Sequence, residues 1–183
     1  MHEIKFYGRG GQGVVMASQM LGLSFFKAGM YPQCYSLFGG ERRGAPVVSY
    51  LRVDREKILL KCDIKRPNEA LFFDTSLIDP AEIGATILPG GNILISTDKP
   101  VPDMDRFMGL NIGFINASGI AQGLGLGHVI NTTVLGAYCR FTGHISMDHI
   151  VSAVEEMVPA KKESNLEAVQ RGYSELVLWT GGK

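Results

Sequence analysis

The residues with the clearest chemical potential lie near the start of the chain, in Gly8-Arg9-Gly10-Gly11-Gln12-Gly13. Glycine reaches positive φ without steric cost and lets a ligand or a neighbouring backbone come close. A glycine-dense turn opening a helix therefore exposes several N–H donors at the positive end of the helix dipole. Such a turn favours an anion. Arg9 adds a fixed positive charge and Gln12 a polar reader, which suits a phosphate or pyrophosphate. Tight packing of a strand against a helix calls for the same turn with no ligand at all. A second group, Glu41-Arg42-Arg43, stands between Phe38-Gly39-Gly40 and Gly44-Ala45-Pro46. Two adjacent guanidinium groups in a loop so flanked can bind phosphate or carboxylate in bidentate fashion, or pair with another chain.

Gly8, Gly10 and Gly13 satisfy the G-x-G-x-x-G spacing of a dinucleotide fingerprint. That fingerprint also needs a carboxylate about 20 residues on to hold the ribose hydroxyls, and residues 14–40 contain neither Asp nor Glu. The turn is followed by Val14-Val15 rather than Lys-Ser/Thr, so the lysine and the magnesium-binding hydroxyl of a phosphate-loop NTPase are missing. No nucleophile constellation stands out. His2, His128, His144 and His149 are scattered and read as structural or exposed histidines. Cys34, Cys62 and Cys139 are odd in number, far apart and never Cys-x-x-Cys, so they read as reduced thiols, with no metal site in this chain.

The elements that must position these groups follow from periodicity. His2 to Tyr7 alternates, with Ile4 and Phe6 on one side, and predicts a strand running into the glycine turn. Val14 to Ala28 has helical spacing and stops at Gly29. Gln33 to Phe38 is short and aromatic. Between Ala45 and Cys62, an alternating Val47 to Val53, a polar Asp54-Arg55-Glu56-Lys57 and an apolar continuation predict a β-hairpin. Glu69 to Phe73, Asn92 to Ser96 and Asn111 to Asn116 are short apolar strands, the first ending at a carboxylate, Asp74. Pro80 opens a helical turn, and Thr97 to Asp105 is a loop. The glycine-rich 118–127 makes only a weak helix. Three helices then finish the chain: Thr133 to Phe141, capped by Asn131 or Thr132; Met147 to Met157, capped by Ser146; and Ala160 to about Leu178. Phe25, Phe26, Tyr31, Tyr35, Leu37 and Phe38 crowd one stretch, which suggests apolar surface left for a partner. The fold expected is α/β: a doubly wound, mostly parallel sheet with a β-hairpin addition, helices on both faces and C-terminal helices, all in a single domain, 1–183. In such sheets ligands collect at the carboxyl ends of strands, where Gly8 to Gly13 falls.

The bulk numbers bound the function. With 183 residues, 45% of them apolar, and 18 basic against 18 acidic side chains, nothing favours bulk attraction to nucleic acid or an anionic membrane. No apolar run reaches the roughly 20 residues that span a bilayer, and no secretory pattern opens the sequence, so a cytoplasmic location is expected.

Four motifs in order resemble the gamma subunit of 2-oxoacid:ferredoxin oxidoreductases. They are Gly8-Arg9-Gly10-Gly11-Gln12-Gly13, the Phe38 to Pro46 loop around Glu41-Arg42-Arg43, Asn131-Thr132-Thr133-Val134-Leu135-Gly136-Ala137, and Asn165-Leu166-Glu167-Ala168 followed by Gly172-Tyr173. The resemblance spans nearly the whole chain. It implies a subunit, inactive alone, of an enzyme that oxidatively decarboxylates a 2-oxoacid to its acyl-coenzyme A and passes electrons to ferredoxin. It further implies thiamine diphosphate, magnesium and iron–sulfur clusters on alpha, beta and delta-type partner subunits. The gamma domain would cover the active site and help hold coenzyme A, with Arg9, the loop amides, Arg42 and Arg43 at its phosphates and Glu41 in the same binding loop. The sequence agrees by omission, lacking both a Gly-Asp-Gly thiamine signature and clustered cysteines. Arg42-Arg43-Gly44-Ala45-Pro46 looks closer to pyruvate-type members. Two other classes stay open at this stage: a stand-alone nucleotide- or flavin-binding Rossmann-like oxidoreductase, and a purely structural assembly subunit.

Overall fold

The computed structural model describes residues 1–38, 44–99, 101 and 104–179. One sheet organises them, built from β1 (His2–Arg9), β2 (Tyr31–Phe38), β3 (Pro46–Asp54), β4 (Glu69–Phe72), β5 (Asn92–Ser96), β6 (Asn111–Ile115) and β7 (Val177–Leu178). The strand order is β2-β3-β1-β4-β5-β6-β7. The central four, β1-β4-β5-β6, pair in parallel, and the outer pairings are antiparallel. Helices α1 (Val14–Lys27), α2 (Pro80–Thr86), α3 (Ala117–Gly123), α4 (Asn131–Thr142), α5 (Met147–Met157) and α6 (Lys162–Ser174) complete the chain, with 3-10 turns at Thr75–Leu77 and Met104–Phe107.

Strand chemistry decides which faces are covered. β4 is buried at every position and β5 at four of five, the mark of strands with structure on both faces. On one face Ile4, Phe6, Leu51, Leu71, Leu94 and Ile115 meet the helices, including Phe25 of α1, Leu135 and Tyr138 of α4, and Val169 of α6. On the other, Phe72, Ile93, Ile95 and Ile112 meet Ile83 and Ile87 around α2 and Phe107 of the second 3-10 turn. The expected fold class holds. α1 ends as a glycine stop predicts: Gly29 takes φ 80°, its N–H donates to Phe26 O, and the Met30 N–H donates to Phe25 O.

The hairpin expected between residues 47–53 and 57–62 does not form; β3 has β1 and β2 as its antiparallel partners instead. β3 lies between β1 and β2, so both its hydrogen-bonding edges are occupied and residues 57–62 have no edge to join. Residues 55–68 instead run as irregular chain against the sheet, where the Ile64 N–H donates to the Tyr35 hydroxyl at 2.8 Å. Beneath them Arg52, 1% exposed, donates from Nε to Glu3 at 2.7 Å. The last helix is also shorter than expected. It ends at Ser174, and Val177–Leu178 crosses back as an edge strand beside β6. Neither expected helix cap forms as such. Asn131 sits inside α4, whose N-cap is Ile130, and Ser146 caps α5 in position only, its hydroxyl bonded to His149 Nδ1.

Candidate functional site

β1 delivers the glycine turn to the carboxyl end of the parallel strands. The turn closes through Gln12 N–H to Arg9 O at 3.1 Å, with Gly11 at φ 101° and Gly13 at φ 82° as the N-cap of α1. Gly8 and Gly13 are there for space. A β-carbon on Gly8 would meet Val14 Cγ2 at 2.5 Å, and one on Gly13 would meet the Asn131 amide at 2.8 Å. The first-turn amides of α1 lack intrahelical acceptors, as at any helix start, so an anion-binding set opens at this point.

The two polar side chains of the turn are committed to holding it. Gln12 accepts from Arg9 N–H through Oε1 at 2.7 Å and donates from Nε2 to Phe73 O at 3.3 Å, tying the turn to the end of β4. Arg9 donates from Nε to Asp74 Oδ2 at 2.9 Å, from Nη1 to Gly44 O at 3.0 Å and from Nη2 to the Ser76 hydroxyl at 2.7 Å. Asp74, the carboxylate noted at the end of that strand, is thus the partner of this brace. Partial burial opposes its ionisation, but the Ser76 bonds and the Arg9 charge hold its carboxyl below the usual carboxylate range. Two of the five guanidinium N–H groups stay outside this brace.

The sequence motifs converge on the turn. Gly10 N–H donates to Ala45 O and Gly44 N–H to Gly10 O, at 2.9 and 3.1 Å, so the end of the second motif pairs with the first. Ile130 N–H donates to Gln12 O, and the Asn131 side chain packs on Gly13, which brings in the third. Thr132 Oγ1 donates to Asn165 Oδ1 at 3.0 Å, and Asn165 Nδ2 donates to Lys161 O at 2.9 Å, which brings in the fourth. α4 and α6 touch through glycines: a β-carbon on Gly136 would lie 1.9 Å from Val169 O, and one on Gly172 would lie 2.0 Å from Thr133 O. Glu41, Arg42 and Arg43 lie outside the described residues.

Beside the turn opens a cleft of about 640 Å³, floored by Gly10, Gly11 and Val14 and walled by Met16, Val129 and Val158. A smaller polar cavity of about 260 Å³, with Ser118, Gln122 and His128, lies against the same glycines. Lys161 stands at the larger cleft's wall, and the sequence reading passed over it. It is the one non-glycine residue at positive φ among those described, at 52°, and its ammonium donates to Gly125 O. No pattern in the residue types announces it, because a left-handed lysine is set by the Asn165 bonds around it. Of the crowded aromatic stretch, Phe25 is buried, whereas Phe26, Tyr31 and Leu37 are exposed at 62, 49 and 53%. Cys34, Cys62 and Cys139 form no disulfide and no common metal-binding group among the described residues.

Comparison with known proteins fits this arrangement. A profile of the family described as pyruvate ferredoxin/flavodoxin oxidoreductase matches residues 3–175. The chain belongs to that family of oxidoreductase subunits. It is 35% identical to the common gamma subunit of the pyruvate/ketoisovalerate oxidoreductases of Thermococcus kodakarensis, over 98% of this chain and 99% of that one. It is also 35% identical to the gamma subunit of the NADH-dependent phenylglyoxylate dehydrogenase of Aromatoleum evansii, covering 97% and 95%. The crystal structure of the pyruvate oxidoreductase subunit PORC from Thermotoga maritima superposes with a TM-score of 0.81 at 29% identity, covering 97% of each chain. Within the family this chain is therefore a gamma subunit of a multi-subunit 2-oxoacid:ferredoxin oxidoreductase. No helix among the described residues is long and apolar enough to cross a membrane.

Proposed function

We propose that this gamma subunit, acting as a single 1–183 domain, holds coenzyme A in the cleft beside Gly8 to Gly13 and covers an active site completed by other chains. The observation that carries the reading is the cleft itself: apolar walls for a pantetheine arm, with unsatisfied helix-start amides and Lys161 at hand for phosphates. Its volume falls in the range of about 300–1,000 Å³ usual for small-molecule sites. Arg9 contributes chiefly by fixing the turn, Arg42 and Arg43 are assigned to the same phosphates on the strength of the family resemblance, and Glu41 to the loop that carries them.

In this reading the chain works with alpha, beta and delta-type subunits that carry thiamine diphosphate, magnesium and iron–sulfur clusters. It is inactive alone and resides in the cytoplasm, and the assembled complex passes electrons to ferredoxin. The preferred 2-oxoacid is pyruvate, which the names of the Thermococcus kodakarensis and Thermotoga maritima relatives both include. The test uses the assembled enzyme. Lys161→Gln removes one charged donor and should raise the KM for coenzyme A by about tenfold with kcat little changed, the worth of a charge-assisted hydrogen bond. An unchanged KM in Lys161→Gln and in Arg42→Ala plus Arg43→Ala would remove the proposal.

A further inference from the structure

At the opposite end of the sheet three residues far apart in sequence meet: His2 at the start of β1, Glu69 at the start of β4, and His144 in the turn between α4 and α5. His144 Nε2 lies 3.0 Å and His2 Nδ1 3.7 Å from Glu69 Oε1. The two rings are tilted against each other with centroids 4.3 Å apart, and one ligand atom from each residue falls within a 4.8 Å set. No other group of three metal-binding side chains assembles among the described residues.

Glu69 is the unusual member. It is 2% exposed, and its second oxygen, Oε2, has no hydrogen-bond partner. The buried Tyr138 hydroxyl stands close enough to Glu69 to help hold its carboxylate ionised. A buried carboxylate is costly unless a cation answers it, and the place for one is beside Oε1, between His144 and His2. The histidines are each about one-third exposed, so an ion and a water can reach the group from solvent.

We infer that His2, Glu69 and His144 form a site for a divalent transition-metal ion, Zn²⁺ first. Two imidazoles and a carboxylate suit borderline ions of this kind rather than Mg²⁺ or Ca²⁺. Ligands about 2.0–2.2 Å from a tetrahedral ion stand about 3.4 Å from one another, and the observed 3.0 and 3.7 Å bracket that spacing. The fourth position faces solvent through the two histidines. β1 carries the chain roughly 20 Å from His2 to the glycine turn, at about 3.3 Å per residue, so the ion stands apart from the cleft. It joins two neighbouring parallel strands to the turn that leads into α5, and its role is that of a staple.

The test is direct. The full chain, stripped with a chelator, is titrated with Zn²⁺ by calorimetry and with Co²⁺ by its visible bands. One ion should bind per chain, and saturating Zn²⁺ should raise Tm by about 5 °C or more. His144→Gln and His2→Gln should each weaken binding by at least about a hundredfold, beyond the usual effect of losing a mere outer partner. His149→Gln should leave it unchanged. If the ligand variants do not fold, X-ray absorption of the zinc-loaded parent should count two imidazole nitrogens. Absence of saturable one-to-one binding, an unchanged Kd in His144→Gln, or a zinc shell without two imidazoles would each overturn the inference.

Discussion

Arg9 shows how a residue's chemistry depends on what surrounds it. A basic side chain inside a glycine turn is a natural phosphate reader, yet here it braces Asp74, Ser76 and Gly44 and so fixes the turn whose amides remain available. Asp74→Asn should therefore cost about 1 kcal/mol, the upper range for a partly exposed pair. The pH dependence has a definite sign. The folded Asp74 carboxyl titrates below its ordinary 3.8, so the brace contributes above about pH 4 and is lost as pH falls through the lower folded value. Denaturant unfolding at successively lower pH should show that loss in the parent and not in Asp74→Asn. Gly8 has a different constraint, since its missing β-carbon makes room for Val14, and Gly8→Ala should destabilise by about 1–3 kcal/mol. The left-handed Lys161 separates binding from stability. Lys161→Gly should hold or raise Tm through relief of the positive φ, while the KM for coenzyme A still rises. A fall in Tm would show that the lysine side chain is structural.

The glycines of α4 and α6 act between elements. Gly136 and Gly172 let the two helices cross with backbone against side-chain-free backbone, and that crossing sets Thr132 of α4 against Asn165 of α6. Gly136→Ala must push Val169 O away from 1.9 Å and should cost about 3 kcal/mol, read as a Tm drop of roughly 6–12 °C. Combined with Gly172→Ala, the loss should be less than additive, because both open the same crossing. Elements with their own periodicity were legible in the sequence: β1, α1, β4, β5, β6 and α5 stand where alternation or helical spacing puts them. The hairpin was misplaced because alternation marks a strand without naming its partner, and β3 had already been claimed on both edges by β1 and β2. The short β7 falls inside the expected last helix because Leu176 and Val177 continue the series Leu166, Val169 and Tyr173 at helical spacing. The glycine turn was visible as an anion site, but Lys161 and the His2, Glu69, His144 meeting were not. Their placement depends on tertiary contacts between residues that no local pattern links.

At the scale of the whole molecule, the sheet separates two ends. The carboxyl end of β1 gathers residues of the four sequence motifs, and the amino ends of β1 and β4 gather the buried Glu69 and its histidines. Exposed Tyr31 and Leu37 stand on the edge strand β2, and exposed Phe26 stands on α1. In the proposed role the chain supplies part of a site and leaves the redox chemistry to its partners, so the isolated subunit should show no 2-oxoacid oxidation, and activity should return on reconstitution with the other subunits. The most direct test of the central claim is photoaffinity labelling of the reconstituted enzyme with a coenzyme A analogue, followed by peptide mapping. Labels on residues 9–19 and 158–165 of this chain, displaced by excess coenzyme A, are the predicted result. Displaceable labels confined to the other subunits would contradict the account.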